Sequence, residues 1–149
     1  MAEGLSLRSG GDWPVGVGDG YGRQPWKTGA ALNILVLDDH DGFRDELVRI
    51  LSRDGHAAQG AASAGAAVPL VEKGDFDFVL VDYHMPEHDG VWFLRNAKRP
   101  RKTKALLITA HVNRKIIDEM FKAGAVGYII KPFDEGELLW NLKFHSERR

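Results

Sequence analysis

The chain has 149 residues, about the length of one domain, and its 44% hydrophobic and 28% charged residues are typical of a globular protein. The 20 Lys and Arg nearly balance the 21 Asp and Glu, so the net charge gives no reason to expect nucleic acid or an acidic membrane as a partner. The chain has no cysteine, which excludes disulfides and thiolate sites, and no apolar run suits a membrane span or secretory signal, so we expect a cytoplasmic protein.

Residues 1–31 differ in composition from the rest of the chain, because they hold eight of the 17 glycines among polar residues and prolines. This composition predicts a flexible tail ahead of a domain at residues 32–149. The stretch GVGDGYG raises the question of a phosphate-binding loop, but no strand precedes it and its glycine spacing fits neither common motif. The aromatic residues of the tail leave a short docking motif as the alternative.

From residue 32 onward, short apolar runs alternate with amphipathic segments of helical length. This alternation predicts five strand and helix pairs, and therefore an α/β fold with a doubly wound parallel sheet of order 2-1-3-4-5. The second pair is the weakest, because Pro69 falls inside its helix and should kink it. The predicted strands cover residues 33–37, 56–59, 77–81, 105–109 and 126–130.

Helix ends are marked by residues with known capping preferences. Gly55, Gly74 and Gly124 follow three of the helical segments and predict C-terminal caps. Asp134 and Glu137 have the spacing of a capping box and predict the start of the last helix.

Three carboxylates lie at the ends of predicted strands. Asp38 and Asp39 follow the first strand and Asp82 ends the third. Strands 1 and 3 are neighbours in this sheet order, so the acids should meet outside the carboxyl ends of the strands, where such folds bind ligands. Each pair of unit charges at about 4 Å would repel by roughly 4 kcal/mol at an effective dielectric near 20. Either some acids are protonated or a cation lies among them, and Mg²⁺ fits better than a caged Ca²⁺.

Two more polar residues end strands on the same edge. Thr109 closes the fourth predicted strand and Lys131 the fifth. Alone, each is explained as a helix-capping or solvated residue. Together with the acids they supply metal ligands, a carboxylate nucleophile, a hydroxyl donor and an ammonium, which is what phosphoryl transfer requires. A carboxylate can itself accept the phosphoryl group as an aspartyl phosphate.

The order and spacing of these residues make the segment 32–149 resemble a bacterial response-regulator receiver domain over its whole length. The resemblance implies a flavodoxin-like fold, Mg²⁺ as the cofactor, and Asp82 in VDYHMP as the phospho-acceptor. It also implies that a histidine kinase or a phosphotransfer protein donates the phosphoryl group, and that phosphorylation switches the binding of a downstream protein target.

The same resemblance assigns roles within the site. Asp39, Asp82 and the backbone carbonyl of His84 would bind Mg²⁺ directly, and Asp38 would act through water. Lys131 would pair with Asp82 at rest and with a phosphoryl oxygen afterwards, and the peptide bond after Lys131 would be cis, which is permitted because proline follows.

Further residues are assigned to switching and to the lifetime of the phosphorylated state. Thr109 would move toward the phosphoryl oxygens, and Tyr128, three residues before Lys131, would fill the vacated space; the alternative for Tyr128 is an ordinary strand aromatic. His84 and His111 occupy positions that influence phosphate loss in the family, which predicts a lifetime sensitive to pH near neutrality. A zinc site at the histidines is disfavoured, because carboxylates with a lysine favour a hard ion.

Exposed aromatics and a basic segment bear on partners. Trp140 and Phe144, four residues apart and outside the core positions of the last helix, predict a partner surface or a homodimer through the fourth helix, fifth strand and fifth helix. Partial burial, for these residues and for Trp92, is the alternative. The segment KRPRKTK, residues 98–104, lacks a recognition helix, so we expect a solvated loop and no nucleic-acid partner.

The chain ends shortly after the last predicted helix, so we expect a stand-alone receiver, a phospho-acceptor rather than a turnover enzyme. One alternative is a scaffold that is not phosphorylated, against which the complete set of site residues argues. Another is a phosphoester hydrolase, but enzymes resembling haloacid dehalogenases usually carry an acid where this chain has His84. A third is a fragment of a larger regulator or hybrid kinase.

Overall fold

The structure is a computed structural model that describes residues 30–110 and 113–148. The predicted tail at residues 1–31 therefore lies almost wholly outside the described residues, and so does His111. Within the described residues, strands and helices alternate in the order β1 Asn33–Leu37, α1 Asp41–Arg53, β2 Ala57–Ala61, α2 Ala64–Lys73, β3 Phe78–Asp82, α3 Gly90–Asn96, β4 Lys104–Thr109, α4 Arg114–Lys122, β5 Ala125–Ile130 and α5 Glu135–Ser146.

The five strands form one parallel sheet in the order β2-β1-β3-β4-β5. This order confirms the predicted flavodoxin-like, doubly wound class. The inner strands β1, β3 and β4 are almost wholly buried, as expected when helices cover both faces of a parallel sheet. The edge strand β5 alternates buried and exposed residues instead, so one of its faces is left uncovered.

Two apolar cores lie on opposite faces of the sheet, and β3 shows how one strand serves both. Val79 and Val81 belong to the core packed by α2, α3 and α4, whereas Phe78 and Leu80 belong to the core packed by α1 and α5. Successive strand residues point to opposite faces, so a continuous apolar run fills both cores. Each fully buried side chain of this size contributes roughly 1.5–3 kcal/mol.

The helix ends follow the predicted signals with one exception. Gly55 and Gly124 lie just past the C-caps of α1 and α4 with positive φ angles of 95° and 115°. Gly74 has extended backbone instead, and its lack of a side chain matters for packing, since a Cβ there would lie 2.5 Å from the Phe76 ring. The α2 helix continues through Pro69 to its end at Lys73.

Each of the five helices that the structure describes is capped at its start by a side chain that accepts a hydrogen bond from a backbone N–H group of the first turn. The predicted capping box of α5 is present in both directions. Among the described residues, no helix has the length and apolar character needed to cross a bilayer. The capping residues are His40, Ser63, Asp89, Asn113 and Asp134.

Candidate functional site

Three carboxylates meet at the carboxyl ends of β1 and β3, as the strand order predicts. Asp38 and Asp39 follow β1, Asp82 is the last residue of β3, and one ligand oxygen from each lies within 4.8 Å of the other two. The strands are adjacent in the sheet, with Leu37 opposite Val81. Asp38 is only 2% exposed and Asp82 8%, while Asp39 faces solvent. The fold therefore buries two acids beside a third.

Lys131 brings a positive charge to these acids. Its Nζ lies 3.8 Å from Asp82 Oδ1, the ion pair that the resemblance implies. It lies closer to Asp38 Oδ2, at 3.1 Å, and donates a hydrogen bond to it. The same Nζ lies 4.0 Å from the centroid of the Phe43 ring. The bond from Lys131 to Pro132 is cis, as the resemblance implies. Lys131 thus compensates both buried acids, with Asp38 as its nearer partner.

Thr109 and Tyr128 lie on the neighbouring strands. Thr109 is fully buried at the end of β4, one residue beyond the register partner of Asp82. The Lys131 N–H donates to the Thr109 carbonyl at 2.9 Å, which ties the ends of β4 and β5 together. Tyr128 points outward from β5 and meets the Phe121 ring edge to face, with centroids 6.3 Å apart. In this structure the predicted switch residue therefore lies on the outer surface.

The electrostatics of the site centre on Asp82. Burial raises the pKa of the Asp82 carboxyl from 3.8 to about 7; Lys131 opposes this shift, and the charges of Asp38 and Asp39 add to it. A cation among the three carboxylates would reverse the repulsive part of this shift. The donors are all hard oxygens on rigid strand ends, which fits a divalent ion such as Mg²⁺.

The loop after β3 is held close to the acids by its backbone. The Gly90 N–H donates to the Tyr83 carbonyl at 2.8 Å, and a Cβ at Gly90 would lie 2.7 Å from the Asp82 carbonyl oxygen, so only glycine permits this approach. His84, whose carbonyl is the expected metal ligand, lies exposed in this loop. His88 stacks on the Trp92 ring at 3.7 Å between centroids. Within residues 30–110 and 113–148, no histidine joins the acids in a cluster of candidate metal ligands.

Two features near the site were not predicted from the sequence. The helical spacing of Phe43 predicts a core residue of α1, but it does not indicate the contact with Lys131. Arg44 donates from Nη1 to the backbone carbonyl of Asp38 at 2.9 Å. The only available signal was an arginine in the first turns of α1, where such residues are usually solvated.

The aromatic residues predicted as a partner surface are exposed. Trp140 is 42% exposed, and its ring stacks on Phe144 with centroids 5.1 Å apart. Tyr128 and Phe121 add a second exposed pair on β5 and α4. Trp92, by contrast, is partly buried and packs against the core.

Three cations of the basic segment 98–104 make side-chain contacts with other residues of this chain. Arg99 is partly buried and donates to the Thr103 carbonyl at 3.0 Å. Lys102 pairs with Asp75 at 2.6 Å, and Lys104 donates to carbonyls at the C-terminal end of α5. The segment is a loop up to β4, with Lys98, Arg101 and Lys102 exposed as expected, and its cations also pair with charges and carbonyls of this chain.

Fold and site together define a doubly wound α/β domain with an acidic cluster, a lysine and a buried threonine at the carboxyl ends of its strands. The family model of the response regulator receiver domain matches residues 34–143. The chain belongs to this family. It is accordingly a two-component signalling protein of the kind phosphorylated on aspartate, a phospho-acceptor rather than a turnover enzyme.

Curated relatives include two chemotaxis proteins. The chain is 38% identical over 122 residues to chemotaxis protein CheY-3 of Vibrio cholerae, covering 78% of this chain and 93% of that protein. It is 33% identical over 106 residues to chemotaxis protein CheY of Pseudomonas aeruginosa, covering 68% of this chain and 86% of that protein.

Solved structures of similar proteins share the fold. A CheY-like response regulator receiver domain protein from Methanospirillum hungatei aligns with a TM-score of 0.74 and 28% identity, covering 79% of this chain and 95% of that chain. A response regulator protein from Burkholderia pseudomallei, solved with a phosphorylated aspartic acid, a calcium ion and citrate, aligns with a TM-score of 0.71 and 27% identity. That alignment covers 77% of this chain and 68% of the other.

Proposed function

We propose that Asp82 accepts a phosphoryl group from a histidine kinase or a phosphotransfer protein in the cytoplasm, with Mg²⁺ bound at the acidic cluster, and that phosphorylation changes the affinity for a downstream protein. The observation that carries this proposal is the convergence of Asp38, Asp39 and Asp82 within 4.8 Å, beside Lys131. The Burkholderia pseudomallei relative supports it, because that protein was solved with a phosphorylated aspartic acid and a divalent ion.

The proposed metal ligands are Asp39, Asp82 and the His84 carbonyl, with Asp38 acting through water. Bound Mg²⁺ would neutralise the carboxylates and the phosphoryl oxygens. The cluster fits a divalent ion because its three carboxylates carry more negative charge than Lys131 alone can balance.

The chain's own residues then perform the transfer. An oxygen of ionised Asp82 forms a bond to phosphorus, and the bond between phosphorus and the donor's imidazole nitrogen breaks, leaving its electron pair on that nitrogen. Lys131 keeps its charge near the attacking carboxylate, 3.8 Å away, and would pair with a phosphoryl oxygen in the product. Thr109 would donate its hydroxyl to the same group from the adjacent strand.

We expect phosphorylation to change the binding surface that lies next to Thr109. We assign Tyr128 the role of switch residue, which would turn inward when Thr109 moves toward the phosphoryl group. Its position supports this assignment, because its side chain lies at the outer surface of β5 and meets the Phe121 ring edge to face. Trp140 and Phe144 would contact the downstream target or a second copy of the chain.

The lifetime of the phosphorylated state would be tuned by His84 and His111, of which His111 lies outside the described residues. His84 is exposed two residues past Asp82, in the loop after β3. We expect the phosphorylation lifetime to change between pH 6 and 8, and a flat lifetime over this range would contradict these roles.

The test of the proposed function is the intact mass of the protein after incubation with acetyl phosphate and Mg²⁺. We expect one phosphoryl adduct on the wild type, and none on Asp82→Asn or without the metal. Absence of the adduct from a folded, Mg²⁺-binding wild type would favour a scaffold that is not phosphorylated. Turnover of acetyl phosphate without an adduct would instead favour a hydrolase.

A further inference from the structure

We propose that Arg44 is a positioning residue for the acidic metal site, holding the backbone of Asp38 so that the carboxylates of Asp38 and Asp39 converge on Asp82. This inference rests on the proposed metal-binding function. Arg44 acts through the backbone carbonyl of Asp38, to which its Nη1 donates a hydrogen bond.

The guanidinium is fixed by two hydrogen bonds. Nη1 donates to the Asp38 carbonyl at 2.9 Å, and Nη2 donates to Asp41 Oδ1 at 2.7 Å. The Arg44 side chain is only 15% exposed although it lies near the helix start, so its position is set by packing as well as by charge. Arginine suits this role because its planar fork presents donors in fixed directions.

The bond from Arg44 completes the anchoring of the turn between β1 and α1. The Asp38 N–H donates to the Ala61 carbonyl of β2 at 3.1 Å, and Asp38 Oδ1 accepts from the His40 N–H at 2.8 Å. The Asp38 carbonyl is the remaining polar group of this residue on the main chain, and Arg44 binds it. Asp39 follows directly on this anchored peptide, so freeing the carbonyl would let both acids move.

Gly60 provides the space in which Arg44 lies. A Cβ at Gly60 would come within 2.9 Å of Arg44 Cδ and 3.1 Å of Cγ, closer than such atoms normally approach. The contact is to a flexible side chain, so Gly60→Ala would displace the arginine rather than the strand. The glycine therefore offers a second way to disturb the anchor from a different element.

The test is the Mg²⁺ affinity of the full chain by isothermal titration calorimetry, with thermal unfolding to confirm folding. We expect Arg44→Ala to weaken Mg²⁺ binding by about 10-fold or more, the usual effect of removing a group that orients metal ligands. Arg44→Lys should recover part of the affinity. The initial rate of phosphorylation by acetyl phosphate should fall at low Mg²⁺ and return at saturating Mg²⁺.

Two control variants separate positioning from general helix stability. Asp41→Asn removes the negative charge beside Arg44 but keeps an oxygen that can accept its hydrogen bond and leaves the Asp38 carbonyl bond. Arg49→Ala removes an exposed arginine of α1 that pairs with Glu46. Both should keep wild-type Mg²⁺ affinity. Equal losses in Asp41→Asn and Arg44→Ala would overturn the proposal, as would wild-type affinity in Arg44→Ala.

A double variant sharpens the result. Gly60→Ala should weaken Mg²⁺ binding in the wild type but add nothing in the Arg44→Ala background, because the residue it displaces is then gone. Additive losses would show that Gly60 acts independently and would contradict the anchor. If Arg44→Ala does not fold, Gly60→Ala and Arg44→Lys give the same comparison. A folded wild type without Mg²⁺ binding would reject the proposed metal site itself, a result distinct from loss in the variants alone.

Discussion

The Lys131 ammonium lies 3.1 Å from Asp38 Oδ2, nearer than to the proposed phospho-acceptor Asp82 at 3.8 Å. Asp38 is the more buried of the two acids, so it gains most from a charged hydrogen bond. One lysine thereby serves two carboxylates, and the longer contact leaves Asp82 with an incompletely compensated charge. Burial is the main reason that the pKa of Asp82 is raised, and the longer contact explains why the lysine beside it does not cancel that shift.

Replacement of Lys131 should destabilise the metal-free protein. Lys131→Met leaves Asp38 buried without its ion pair, and we expect a loss of up to about 3 kcal/mol in the free energy of unfolding at pH 8. The loss should shrink on adding Mg²⁺, because a bound cation supplies the missing charge. Urea unfolding with and without Mg²⁺ checks both points, with Lys131→Arg as the control that keeps the charge. A loss unaffected by Mg²⁺ would argue for a packing role against Phe43 instead.

Asp82→Asn should stabilise the metal-free protein at alkaline pH. The folded-state pKa of Asp82, about 7, lies above its usual value of 3.8, so the folded state binds the proton more tightly than the unfolded state. Stability therefore falls as pH rises from about 4 to about 7, by at most about 4 kcal/mol, and Asp82→Asn lacks this loss. Urea unfolding of both proteins at pH 5 and pH 8 without metal measures the difference. Parallel pH dependence in the two proteins would mean that Asp82 is not desolvated as the structure indicates.

Much of this fold was predictable because its strands are defined by burial. The inner strands are apolar on both faces and end in polar residues, which predicts both the sheet and the edge where the acids meet. The sequence predicted the strand β2 only weakly, because its alanines and glycine have little strand preference of their own and are placed in the sheet by pairing with β1. Strand ends are fixed by such local patterns, so the meeting of Asp38, Asp39 and Asp82 followed from topology.

The finer contacts were beyond sequence reasoning because they depend on the rotamers of long side chains. Lys131 and Asp38 are 93 positions apart in the chain. The Lys131 Nζ lies less than an ångström closer to the Asp38 carboxylate than to that of Asp82. An arginine at position 44 could equally have remained in solvent. It reaches the Asp38 carbonyl because Gly60 has no side chain in the space that Arg44 occupies. Backbone patterns carry no information about such choices.

His56 should make the protein acid-sensitive. The buried ring accepts the Leu32 N–H on Nδ1 at 3.0 Å, and Nε2 lies 3.1 Å from Asp54 Oδ2. Burial lowers the pKa of His56 below 6.5, with Asp54 opposing the shift, so the unfolded state takes up the proton first and stability falls as pH drops below about 6.5.

The measurement is the unfolding midpoint in urea between pH 7 and pH 5. We expect His56→Asn, whose amide oxygen can take the place of Nδ1, to lower stability at pH 7 but to flatten its decline on acidification. His88→Asn, at a ring stacked on Trp92 outside the core, is the matched control and should keep the wild-type slope. An unchanged slope in His56→Asn would assign the acid sensitivity to other groups.

The exposed aromatic face should control self-association of the activated protein. Trp140 and Phe144 on α5 form one stacked pair, and Tyr128 with Phe121 forms another, so phosphorylation that draws Tyr128 inward would reshape this face. We expect sedimentation velocity to show a dimer in the presence of Mg²⁺ and beryllofluoride, a phosphoryl mimic, and a monomer without them. Trp140→Ala should weaken this dimer by about 10-fold or more, as expected for an aromatic anchor.

Thermal unfolding should change little in Trp140→Ala, because 42% of the residue's surface is exposed and its removal leaves no core cavity. Trp92→Ala is the comparison, since Trp92 packs against the core and lines the crevice between α3 and α4; it should lower stability without changing dimer affinity. An activated wild type that stays monomeric at high concentration would reject the homodimer. The exposed aromatic face would then be expected to bind a different protein. An equal loss of dimer in both variants would argue against an interface centred on Trp140, because Trp92 lies on α3 and Trp140 on α5.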